Sequence, residues 1–142
     1  MDVAVDTSEG SFREAVLAAT DGGVHAIIDL IGGPAFPETL ATLRPTGHLV
    51  LVGLTAGGRA DMDLGLVLRN RLHIEGTVLR PRTLDEKTAA VAAFARDVLP
   101  LLVAGTVRPV IHATLPLDRV VEAHRLMESN ANVGKIVVEI DG

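Results

Sequence analysis

Five histidines, His25, His48, His73, His112 and His124, are the first residues to weigh for acid–base or metal chemistry. A metal held on one helix or strand needs ligands at i, i+4 or i, i+2, and no pair among them is so spaced. A lone histidine is more often packed or solvated than a ligand. Ser8, Ser11 and Ser129 lack the G-x-S-x-G elbow of a hydrolase nucleophile. With no cysteine, disulfides, thiolate catalysis and cysteine-containing zinc sites are excluded. Arg69-Asn70-Arg71 and Arg80-Pro81-Arg82 could hold a phosphate or carboxylate, or form a solvated basic surface. Asp61 and Asp63 share one side of an alternating stretch, a spacing for acid–base work or for charge that protects a sheet edge. The glycines are more informative. Gly32-Gly33 follows one apolar run and Gly53 another. Glycine at such a strand end either serves an ordinary turn or lets a ligand approach the backbone. No G-x-G-x-x-G occurs in the chain.

Such residues need a scaffold. The chain has 142 residues, one domain's worth, with 48% hydrophobic and 22% charged side chains, a balance too apolar for disorder. A net charge of -5 with only 2% aromatic residues argues against nucleic acid as a partner. No apolar run reaches the roughly 20 residues of a membrane span, and the start carries no basic segment of a secretory signal. A cytoplasmic α/β protein is expected.

Short β-branched runs alternate with helical periodicity, the pattern of parallel α/β folds. Val3-Ala4-Val5 reads as a short strand, and Ser11-Phe12-Arg13-Glu14 as a capping box with serine at the N-cap. Phe12, Ala15, Val16 and Ala19 then line one helix face. Residues 25–31 and 48–52 read as strands buried on both faces, separated by a helix carrying Phe36, Leu40 and Leu43 and a turn at Pro45-Thr46-Gly47. Residues 60–64, with Ala60, Met62 and Leu64 apolar, read as a half-exposed edge strand. A short helix at Val67 and Leu68 and a strand over 72–78, from Leu72 to Val78, follow. Thr83-Leu84-Asp85-Glu86 is a second capping box, opening a helix kinked at Pro100 and stopped by Gly105. Residues 110–115 and 135–140 read as strands around a helix over 118–129, with Val120, Ala123 and Met127 inward.

The order of landmarks resembles one family. Asp29-Leu30-Ile31-Gly32-Gly33, Arg44-Pro45-Thr46-Gly47-His48 and Val52-Gly53-Leu54 resemble the medium-chain dehydrogenase/reductase superfamily. Gly76-Thr77-Val78-Leu79-Arg80-Pro81-Arg82, Ala123-His124-Arg125-Leu126-Met127 and Val133-Gly134-Lys135 narrow it to the zinc-independent NAD(P)H quinone oxidoreductase branch. The likeness covers the carboxyl-terminal portion of such an enzyme. It implies a partial Rossmann-like parallel sheet with flanking helices over residues 1–106, lacking the first β-α-β segment, and a return toward the substrate domain over 107–142. It implies NADP as cofactor, bound beside Ile31 and Gly32, Gly53 and Leu54, Val78 and Leu79, and Asn132, Gly134 and Lys135. The reaction implied is hydride transfer to quinones or α,β-unsaturated carbonyls without a metal. The chain alone is then expected to be inactive, because the Gly-rich pyrophosphate loop is not in it. The alternative is a non-catalytic interaction domain derived from the family. The branch also implies a homodimer joined through residues 60–64 and 72–78.

One expectation comes from physics alone. Without neighbouring strands, 26–28 would be a bare edge, so Val3-Ala4-Val5 is expected to pair beside Ala26-Ile27-Ile28 through a right-handed crossover.

Overall fold

The computed structural model describes residues 3–7 and 10–140, so Ser8 and the extreme start of the chain lie outside the described residues. The chain forms two compact units that divide between Arg82 and Thr83.

In the first unit, β1 (Val24–Asp29), β2 (Leu43–Leu51) and β3 (His73–Gly76) form a parallel sheet in the order β1-β2-β3. Ala26 to Asp29 pair with His48 to Leu51, which pair in turn with His73 to Gly76. One face carries the core: Leu49 is wholly buried and sits with Phe36, Leu40 and Leu43. Helices α2 (Phe36–Ala41) and α3 (Leu64–Asn70) supply that face, with Leu66 and Val67 packed against the cluster. Period-2 alternation sends Ile28, His48, His73 and Glu75 to the other face, where all four are exposed. The strands are therefore not buried on both faces. Ile28 stays 74% exposed.

Pro45-Thr46-Gly47 does make a turn, but inside β2 rather than before it. The register jumps from Val24 opposite Leu43 to Ala26 opposite His48, and Thr46 takes a left-handed φ of 62°. β2 thus advances five residues where β1 advances two, a larger irregularity than a one-residue bulge.

Three expectations fail here. Val3, Ala4 and Val5 form no strand, and among the described residues β1 pairs with β2 alone. A three-residue strand offers too few ladder bonds to offset an ordering cost of about 1–2 kcal/mol per residue. Ser11 does not cap α1 (Arg13–Ala19); Phe12 holds the N-cap position without a side-chain bond. Glu38 of α2 takes that role across space, its Oε1 accepting from the Ser11 hydroxyl at 2.5 Å and from the Arg13 amide at 2.8 Å. Residues 60–63 are irregular rather than an edge strand, and Leu64 opens α3. The Asp63 carbonyl accepts from the amides of Leu66 and Val67, so the helix start claims the segment's backbone.

The second unit begins with α4 (Leu84–Asp97), whose Thr83–Glu86 capping box forms as expected. The chain breaks at Val98 into α5 (Leu99–Val103), with Pro100 in its first turn, and Gly105 follows at φ 69°. Strands β4 (Ile111–Pro116) and β5 (Lys135–Glu139) pair in parallel, and α6 (Val120–Glu128) crosses between them. Ala123 of α6 is buried and Val120 half-buried, but Met127 remains 53% exposed.

Candidate functional site

Because β1, β2 and β3 are parallel, the loops that follow them gather at one end of the sheet. The first is built by Asp29. Its Oδ1 accepts from the amides of Ile31 at 2.7 Å and Gly32 at 3.0 Å. Those bonds fold the chain back so that Gly32 and Gly33 take φ of 60° and 56°, a backbone that side chains disfavour. Asp29 is 5% exposed, and its Oδ2 is buried without a partner among the described residues.

The loop after β2 is laced to the first. The Asp29 carbonyl accepts from the amides of Val52 and Gly53, the Leu30 carbonyl from the Thr55 amide and hydroxyl, and the Ile31 carbonyl from the Ala56 amide. The contact is close enough to require small residues. A Cβ on Gly32 would lie 2.7 Å from the Leu54 side chain, on Gly33 2.5 Å from the Ala56 carbonyl oxygen, and on Gly53 2.9 Å from the Leu30 carbonyl oxygen. After β3, the Thr77 amide donates to Leu51, and Arg82 donates from Nε to the Val78 carbonyl and from Nη2 to the Thr77 hydroxyl.

Of the residues singled out in the sequence, Ile31, Gly32, Gly53, Leu54, Val78 and Leu79 thus occupy the loops at one end of one sheet. Gly32 is buried, while Ile31, Leu54, Val78 and Leu79 are 48–57% exposed, apolar groups held open by hydrogen-bonded backbone. Asn132, Gly134 and Lys135 form a second group, at the start of β5 in the other unit. Asn132 Nδ2 donates to the Gly134 carbonyl, and the Lys135 amide donates to Val110 at 2.8 Å. Gly134 has φ 97°, and a Cβ there would overlap the Val110 carbonyl oxygen.

The histidines take other roles. His48 and His73 stack with ring centroids 4.2 Å apart, and His25 Nε2 accepts from Arg44. His112 Nδ1 accepts from the Val133 amide. Among the described residues, no group of three His, Cys, Asp or Glu is placed to hold a metal, and no helix is long and apolar enough to cross a membrane. Sequence reasoning missed Asp29 as the residue that shapes the first loop. The available signal was an acid inside an otherwise apolar strand run.

A parallel sheet with glycine turns beyond the carboxyl ends of its strands is the dinucleotide-binding type of α/β fold. The zinc-binding dehydrogenase family matches residues 1–138, and the chain belongs to that family, within the medium-chain dehydrogenases/reductases. It is 29% identical over 119 residues to an acryloyl-coenzyme A reductase from Sulfurisphaera tokodaii, covering 83% of this chain and 33% of that protein. It is 26% identical over 137 residues to quinone oxidoreductase-like protein 2 of Mus musculus, covering 96% of this chain and 39% of that protein. Among solved structures, a Bacillus thuringiensis protein described as an NADPH:quinone reductase superposes with a TM-score of 0.68 at 28% identity, over 93% of this chain and 40% of that one. The chain therefore spans 33–39% of the length of these two curated relatives.

The exposed apolar side chains of Ile31, Leu54, Val78 and Leu79 suit a planar ring of a dinucleotide, and Gly32 and Gly53 let the loops that carry Ile31 and Leu54 pack closely. They offer no G-x-G-x-x-G for the pyrophosphate.

Proposed function

We propose that the chain forms the nicotinamide-facing part of an NADPH-dependent reductase of quinones or other α,β-unsaturated carbonyls. The observation that carries this reading is the lacing of the Asp29-held Gly32 turn to the Gly53 loop, beside the end of β3. A bound nicotinamide would supply a hydride there. The chain's own residues would bind and orient: Gly32 and Gly53 allow the loops to pack closely, and Ile31, Leu54, Val78 and Leu79 exclude water. The role these loops would play is placement of the ring.

The quinone-oxidoreductase-like relatives support this substrate class. By itself the chain would be inactive with a simple benzoquinone, because nothing in it grips the pyrophosphate. Saturation-transfer NMR with NADPH tests the reading. Nicotinamide protons are expected to receive more saturation than adenine protons. Equal transfer, or none, would contradict it.

A homodimer through the free edge of β3 and residues 60–64 completes the proposal, together with a cytoplasmic location testable by cell fractionation. An alternative role as an interaction domain has one observation in its favour. The chain exposes 10756 Å², whereas two separate globules the size of its units would expose about 8,400 Å². Large apolar side chains lie on that surface, Ile28, Leu68 and Leu84 being 74–79% exposed, and such exposure calls for a partner.

A further inference from the structure

A second recess lies beside the candidate cofactor loops. It measures about 190 Å³, with Phe36, Leu51 and Met62 on its apolar wall and Gly57, Gly58 and Arg59 at its rim. Phe36 on this wall is buried in the packed core, while Met62 is 40% exposed. At the rim, Arg59 has no hydrogen-bond or ion-pair partner among the described residues. The nearby Asp63 does not neutralise it, because that carboxylate is already turned to Arg69 at 3.4 Å.

Gly58 supplies an independent clue. Most glycines in these loops are explained by the fold, by left-handed φ or by a clash that a Cβ would make. Gly57, for example, has φ 121°. Gly58 has neither reason: its φ is ordinary, and a Cβ would only touch Leu54 at 3.6 Å, normal van der Waals contact. Packing does not demand glycine there. Glycine there leaves the rim open to the approach of a ligand.

We propose that this recess binds a small carboxylate bearing a short apolar chain, the tail against Phe36, Leu51 and Met62 and the carboxylate on the Arg59 guanidinium. Arginine's planar fork suits a carboxylate bidentately. The volume equals about six waters, enough for a chain of a few carbons and too little for a dinucleotide. The recess shares Gly32 and Leu54 with the candidate cofactor loops, so its occupant would sit against them, and its test needs no cofactor.

Butyrate titrated into the ¹⁵N-labelled chain should shift the amides of Gly57, Gly58 and Arg59 with a dissociation constant on the order of 1 mM. Arg59→Met should weaken that binding about tenfold, and Arg59→Lys should restore part of it. Gly58→Leu, which fills the rim, should abolish the shifts while leaving the remaining spectrum folded. Butan-1-ol shifting the same amides as strongly as butyrate would overturn the carboxylate assignment. Inorganic phosphate or acetate binding as tightly would overturn the role of the apolar wall. Unchanged butyrate binding in Gly58→Leu would overturn the site itself.

Discussion

Replacing Asp29 with alanine tests how the candidate site is held together. In the folded chain one carboxylate oxygen accepts two amides, at 2.7 and 3.0 Å. Hydrogen bonds to a charged acceptor contribute about 1.5–3 kcal/mol each, so their loss costs about 3–6 kcal/mol. Part of that is returned, because the other oxygen is buried without a partner, a cost of about 1–3 kcal/mol that alanine removes. The expected net effect is about 2–3 kcal/mol of local stability. Since the chain has two units, a single unfolding midpoint is a poor reporter. Amide hydrogen exchange at Ile31 and Gly32 reads the loop directly. Exchange there should accelerate roughly 30- to 160-fold, at tenfold per 1.36 kcal/mol, while the amides of β4 and β5 stay unchanged. Asp29→Asn, which keeps one acceptor oxygen in place, should fall well short of the alanine effect. Less than about threefold acceleration in Asp29→Ala would refute the claim that this carboxylate shapes the turn.

Other expected outcomes follow from the same geometry. Gly33→Ala combines φ 56° with a Cβ 2.5 Å from the Ala56 carbonyl oxygen, so urea unfolding of the first unit should show a loss above about 2 kcal/mol. Thr83→Ala removes the formed capping box and should lower the stability of α4 by about 1 kcal/mol, seen as faster exchange in its first turn. The Ser11 hydroxyl, then the Arg13 amide, hold the Glu38 carboxyl below its ordinary value of 4.5. A depressed carboxylate stabilises above that value and loses its contribution as pH falls through the lowered one. NMR should therefore show α1 loosening from α2 below about pH 4.5, and Glu38→Gln should blunt that dependence. Sedimentation at tens of micromolar, where a dimer of ordinary affinity persists, should give a dimer; a monomer would remove the proposed β3 contact.

How much the sequence revealed depended on how local each determinant is. The Thr83–Glu86 box and the Gly105 stop were readable because their partners lie within one helical turn. The Ser11 box carried the same local pattern, but Glu38, 27 residues away, took the hydroxyl and the first helical amide instead. The alternation at residues 60–64 suggested a strand, yet the Asp63 carbonyl starts a helix there. Burial was misjudged for a non-local reason. Ala26-Ile27-Ile28 is composed like a strand covered on both sides, but coverage depends on neighbours, and Ile28 is left 74% exposed. At the site, the glycines marked the loops correctly, since left-handed φ and close approach leave a compositional trace. The acceptor that orders them, Asp29, left only an acid among aliphatic residues, a signal that a solvated strand end shares.

The central claim, that the loops after β1, β2 and β3 face the nicotinamide end of a dinucleotide, is tested most directly by mapping NADPH onto the ¹⁵N spectrum of the chain at millimolar cofactor. The expected result is shifts concentrated at Ile31 and Gly32, Gly53 and Leu54, and Val78 and Leu79, with nicotinamide mononucleotide (reduced) reproducing most of them and adenosine diphosphate few. Shifts scattered elsewhere, or an adenosine diphosphate map identical to that of NADPH, would contradict it.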